Sequence, residues 1–290
     1  MPSVQLLQRR IKSVKSTRQI TKAMELVAAS KMRKATEFAE QGRSYREAAH
    51  ALLSRLTTVT DVKEHPLYVE REVKTRLYVA ITSDRGLAGA YNSNIIKMLT
   101  RAAIEDQKKG IKAQAVLIGS RGAQFVRRIE TIEMVAAFPG FDDQPSANDI
   151  RPILDAIVDL YITSAVDDVQ LLYTEHVSNI SQIAQSLALL PARMEENQGE
   201  PVESLGNMTF EPSITAVLDN VTERLLEVQI WQALLESIAS EHSMRMLSMK
   251  NATDNANDLI GDLTLAFNTV RQANITQEIA EITGGAEAMK

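Results

Sequence analysis

The stretch SITAVLDNVTERLLEVQIWQALLESIASEHSMRMLSMKNATDNANDLIGDLTLAFNTVRQANITQEIAEITGGAEAMK (213–290) decides the fold. It holds no proline and only three glycines, Gly261, Gly284 and Gly285, so nothing in it forbids a single long helix. Ile214, Leu218, Val221, Leu225, Val228, Leu235, Ile238, Ala256, Ile260 and Leu263 recur at mostly three- and four-residue steps. Their face drifts by ~20° per heptad, as a coiled-coil repeat does on a straight helix, which predicts a left-handed supercoil. Gln232 and His242 interrupt this seam, and Ile279 and Ile282 leave it.

The other end of the chain answers it. Residues 3–65 also lack proline, and Gly42 is their only glycine. Val4, Leu7, Ile11 and Val14 share one helical face, continued by Arg18 and Lys22. Ile20, Met24, Val27, Phe38, Tyr45, Ala49, Leu52 and Leu56 share another, about half a turn away. This spacing predicts a helix whose packing surroundings change near residue 18. At ~1.5 Å per residue the helices over 3–57 and 212–284 span roughly 80 and 110 Å. With the rest of the chain between them, they close most simply as an antiparallel pair, the second overrunning the first by ~25 Å. The net charge of −5 divides as +8 over 1–55, −6 over 56–210 and −7 over 211–290. Opposite signs favour pairing the two helices with each other over self-pairing of either.

The middle alternates as a doubly wound α/β domain does. TRLYVAIT (75–82), AQAVLIG (113–119), TIEMVAAF (131–138), DVQLLYTEHV (168–177) and SQIAQSLALLP (181–191) read as strands. Segments 94–110, 120–129 and about 150–164 read as helices. Three parts result: a coiled-coil helix (1–60), a Rossmann-like α/β domain (70–211) and a second coiled-coil helix (212–290). Only four of the thirteen aromatics, Phe38, Tyr45, Trp231 and Phe267, fall in the proline-free ends, which suits a narrow helix pair better than a wide core.

Composition narrows the chemistry. The absence of cysteine excludes disulfides, thiolate catalysis, Cys-ligated zinc and thiol switching. With 32 Lys+Arg against 37 Asp+Glu, and no aromatic in the first 37 residues, the basic helix is a poor nucleic-acid binder. No apolar run reaches spanning length, and the start is polar and basic, so a soluble chain without a signal peptide is expected. The turn SDRGLAGAYN (83–92) after the first strand invites a phosphate-binding reading. Gly86 and Gly89 match neither GxGxxG nor the P-loop spacing, and Asp84-Arg85 reads more readily as a turn-fixing pair than as a catalytic one. His50, His65, His176 and His242 have no ligand-like spacing. No catalytic residue, metal or cofactor is expected.

Three segments remain informative: TRQITKAMELVAASKMRKA (17–35), MRMLSMKNATDNANDLI (244–260) and NTVRQANITQEIAEITGGAEAM (268–289). Their alanines and methionines suit helix packing. By spacing alone, Arg271, Gln272, Thr276 and Glu278 fit a solvated face as well as a contact surface. Together with the SDRGLAGAYN turn, these segments resemble, in order and distance over essentially the whole chain, the gamma subunit of the F-type (rotary) ATP synthase. The turn carries Ala88 where many members carry cysteine.

The resemblance implies the central-stalk rotor of a proton-translocating ATP synthase, not catalytic by itself. Its coiled coil would lie within the hexamer of alpha and beta subunits, and its globular foot on the epsilon subunit and the membrane c-ring, with segment 195–211 near that foot. Rotation of the c-ring would change which beta-subunit site is open, and hydrolysis would drive the reverse. It further implies that Met24 meets a beta-subunit lever, that Arg271, Gln272, Thr276 and Glu278 bond a beta loop, and that Arg245 belongs to a torque-coupling segment. The implied location is peripheral, on the cytoplasmic side of a bacterial inner membrane.

Overall fold

Two helices free of internal proline bound the chain, α1 (Val4–Leu56) and α5 (Ile214–Ala288). The computed structural model describes residues 3–56, 65–141, 145–178, 180–192 and 213–288, except for the side chains of 41–56, 147, 214–216, 287 and 288. Between the long helices come β1 (Thr75–Ile81), α2 (Tyr91–Lys108), β2 (Lys112–Ile118), α3 (Ser120–Val126), β3 (Glu133–Phe138), α4 (Ala147–Ile162), β4 (Asp168–His176) and β5 (Gln182–Leu190). This is the predicted α/β fold with long terminal helices. The chain divides into two compact units, Met1–Ala28 with Arg245–Lys290, and Ala29–Met244. The division falls inside both long helices rather than at their ends. Among the described residues no helix is long and apolar enough to cross a membrane.

In the larger unit the sheet order is β3-β2-β1-β4-β5. β1, β2, β3 and β4 are parallel, and β5 returns antiparallel to β4. The central strands read as continuous apolar runs because both faces are covered. On one face Leu77, Val79, Ile81 and Leu171 pack with Ile150, Ile153 and Ile157 of α4 and with Leu225, Leu226 and Ile230 of α5. On the other, Tyr78, Ala80, Leu117 and Leu172 pack with Ile95 and Leu99 of α2 and with Ala123 and Val126 of α3. A buried ionic network fastens α2 to the sheet. Asp106 accepts from Arg76 and from Tyr78 Oη, while Arg76 Nε also donates to Asp168 at 2.8 Å. Burial, followed by the Asp106 carboxylate, pushes the Tyr78 hydroxyl well above its ordinary pKa.

In the smaller unit α1 and α5 run antiparallel. Arg18 Nη1 donates to Asn257 Oδ1 (3.3 Å), and Thr253 Oγ1 lies 2.8 Å from Thr21 Oγ1, so the pairing descends α5 as it climbs α1. The face of α1 differs from expectation. Its buried line continues the Val4-Leu7-Ile11-Val14 face through Arg18 and Thr21 to Ala28, whereas Ile20 and Val27 are 60% and 56% exposed. No change of face occurs near residue 18. The seam turns small and polar instead, which an apolar-only count reads as a shift. Tyr45, Ala49, Leu52, Leu56 and Ile214 of the predicted stripes, and His50, lie outside the described side chains. Gln232 and His242 do not break the seam by exposure, since both are buried in it.

Candidate functional site in the terminal helix pair

The glycine turn comes first, because the switch point of a doubly wound sheet, here the carboxyl ends of β1 and β4, is where such folds bind ligands. The turn after β1 is tied instead toward β2 and β3, on the other side of β1. Asp84 accepts from the backbone N–H groups of Ser120 (2.7 Å) and Gly140 (3.0 Å), joining β1, α3 and the loop after β3. Although desolvation opposes it, these N–H donors and Arg85 hold the Asp84 carboxyl below its ordinary pKa. Thr82 occupies the space beside Gly119, where an added Cβ would lie 2.1 Å from the Thr82 carbonyl oxygen. Gly119 has φ of +92°, so both its backbone and its neighbour require glycine. Ser83 N–H donates to Asn92 Oδ1 (2.9 Å), closing the turn onto α2. The pair Asp84-Arg85 is therefore a structural bracket. His65 Nε2 bonds Asp219 at 2.7 Å, and no acidic or histidine cluster able to hold a metal occurs among the described residues.

All six residues expected to meet partners fall in the smaller unit. Buried Leu7, Thr21, Ala28, Met249, Thr253 and Ala256 make its seam, and on α5 the half-buried Ile260, Leu263, Phe267 and Val270 extend it at heptad steps. Small side chains at the centre let the helices approach closely. The Thr21–Thr253 contact favours one register, because a slip of one turn would part the two hydroxyls and leave each only its carbonyl within the helix, Arg18 at 3.0 Å and Met249 at 2.8 Å. Met24 and Arg245 are half-buried near this seam. From Arg271 to Ala286 every side chain of α5 is exposed. Arg271, Gln272, Thr276 and Glu278 lie there, with the Arg271 guanidinium 6.0 Å from the Phe267 ring centroid. The register puts Met24 level with Lys250, some twenty residues and roughly 30 Å along α5 from Arg271. The candidate residues thus form two groups at two levels rather than one cluster.

Spacing alone overlooked the apolar residues off the seam. Leu26, Leu259, Leu265 and Ile275 are exposed, as are Ile20 and Val27, which the spacing had assigned to a packed face. Of nineteen large exposed apolar side chains among the described residues, ten belong to this smaller unit, which marks it as a surface to be covered. Their signal in the sequence was helical apolar positions in excess of one stripe. Arg9, Arg10, Lys12 and Lys15 of α1 and Asp254, Asp258 and Asp262 of α5 are exposed and make no ion pair among the described residues. The charge contrast of the two helices therefore acts as a field rather than through these side-chain contacts.

An α/β domain whose glycine turn is held by its own hydrogen bonds, and a helix pair that presents apolar and polar side chains outward, define a class of protein with a surface for other chains. A family model described as ATP synthase matches residues 3–289. The ATP synthase gamma chain of Heliobacterium modesticaldum is 42% identical over 296 residues, covering 100% of each chain. That of Psychrobacter arcticus is 38% identical, again over 100% of each. Among solved structures, a chain of the Tetrahymena thermophila mitochondrial ATP synthase central stalk and c-ring is similar with a TM-score of 0.62 and 25% identity, covering 80% of this chain and 99% of that one. A Euglena gracilis mitochondrial ATP synthase chain gives 0.67 at 19% identity, covering 99% and 94%. The chain belongs to the ATP synthase gamma chain family, the non-catalytic central-stalk subunits of that complex.

Proposed function

We propose that this chain is the rotor that couples turning of a membrane c-ring to the nucleotide sites of an alpha–beta hexamer. Its two helical parts (1–60 and 212–290) act as the shaft, and its α/β part (70–211) as the foot on the c-ring and epsilon subunit. The shaft does no chemistry. It biases three chemically identical beta subunits between states because each meets a different side of it. The observation that carries this reading is the outer end of α5, where Arg271 to Ala286 is exposed on every side although it includes Ile275, Ile279 and Ile282. Such a helix is stable in water only when other chains cover it.

Arg271, Gln272, Thr276 and Glu278 then serve as polar contacts to a beta loop, and Met24 and Arg245 act at the lower level toward the beta lever. The complex is membrane-associated, and we place this chain peripherally on the cytoplasmic side of a bacterial inner membrane. The test is reconstitution. Adding this chain to alpha and beta subunits is expected to restore ATPase activity and to co-purify with them. Identical activity with and without it would sink the rotor reading.

A further inference from the structure

We infer that Ser237 and Ser240 of α5, closing on the backbone of Thr174 in β4, form a torsional lock through which the sheet turns α5. This rests on the rotor reading above. β1 pairs with β4 from Arg76↔Asp168 to Ala80↔Leu172 and no further. Thr174 therefore lies beyond its last β1 partner, while β5 continues alongside it at Ala184. The N–H and C=O that a neighbouring strand would take are taken by α5. Thr174 N–H donates to Ser237 Oγ at 3.1 Å, and Ser240 Oγ donates to the Thr174 carbonyl at 3.1 Å. Both serines are 0% exposed and Thr174 1%.

Serine suits this place for a physical reason. A helix spends its own backbone groups internally, so it can pair a free strand edge only through short hydroxyl side chains. Spaced three apart, the two hydroxyls face the same way, and one accepts where the other donates. Ser243, three residues on, accepts from Gln182 Nε2 of β5 at 3.0 Å. Buried Ala233 and Ala239 keep the approach close.

Apolar packing resists separation but slides, whereas a hydrogen bond fails once its angle is lost. A small roll or slip of α5 would break both bonds to Thr174 and strand a buried N–H and C=O, which costs more than the bonds themselves contribute. Trp231 Nε1 of the same helix donates instead to a carbonyl outside the strands, that of Pro145 (2.9 Å). Thr174 belongs to a strand inside the sheet, so load entering there is shared by its neighbours.

The test uses the alpha–beta complex assembled on this chain, with a rotation probe on I180C, a unique thiol because the chain has no cysteine and exposed in the larger unit. The readout is the angular variance of the probe while the rotor is stalled without ATP. S237A/S240A is expected to raise that variance about twofold or more, since both directional bonds to Thr174 are lost. S240A alone, the milder variant should the pair not assemble, is expected to give a smaller rise. L234V, which loosens packing but removes no hydrogen bond to Thr174, should leave the variance at the wild-type value. Unchanged variance in the serine variants, or an equal rise in L234V, overturns the lock. A wild-type complex that shows no ATP-driven rotation instead overturns the rotor reading, and the lock with it.

Discussion

Two stretches of one helix, Asp219–Ser243 and Arg245–Ala286 of α5, have opposite designs. The first is buried on nearly every side from Leu225 to Ser243 and is tied down by polar contacts from His65, Tyr68, Pro145, Arg151, Thr174 and Gln182. The second keeps one narrow seam against α1, crossed by the Arg18–Asn257 and Thr21–Thr253 contacts, and past Val270 is exposed throughout. A helix that must not move against its surroundings needs directional bonds on several sides. A helix that must turn within other chains needs the reverse, a surface with few fixed partners of its own.

That contrast can be broken by mutation. Leu235→Ala, at a fully buried position of the anchored stretch, is expected to cost about 2–5 kcal/mol in equilibrium denaturation. Leu265→Ala, 69% exposed in the outer stretch, should change stability by less than ~0.5 kcal/mol, and comparable losses at the two sites would erase the distinction. Arg271→Ala sharpens it from the functional side. It should leave stability within ~0.5 kcal/mol yet lower the ATPase activity restored on reconstitution about tenfold, or ~1.4 kcal/mol; full activity would remove Arg271 from the contact surface.

The seam of the outer stretch offers a finer test. Thr21→Val and Thr253→Val should each cost ~1 kcal/mol, and the double variant less than their sum, because both single variants lose the same shared bond. Strict additivity would mean that the hydroxyl pair does not set the register. The smallest effect concerns His176, two residues along β4 from Thr174. Burial lowers its pKa below the ordinary histidine value. The unfolded chain therefore binds the proton more readily, so this residue contributes stability above about pH 6.5 that fades as pH falls through its folded pKa. His176→Asn should flatten that acid limb of the stability profile, and an unaltered limb would locate the titration elsewhere.

The sequence by itself determined the elements. Long proline-free stretches, apolar periodicity near 3.5 in one place and continuous apolar runs in another are local properties, and Ile81, Leu171 and Leu225 are where their patterns put them. Met24, Arg245 and Arg271 came from the resemblance of the motifs around them, since by spacing alone Arg271 fits a solvated face as well as a contact surface. Only the tertiary structure decided which face of α1 is inside. Thr21, Ala28 and Thr253 carry no apolar signal, and they are buried because two helices can meet closely only where side chains are small. Likewise, nothing in the spacing of Ser237 and Ser240 marks them. Their partner is the backbone of Thr174, left free because β1 stops short of it, and a strand's unpaired edge exists only once the sheet has formed.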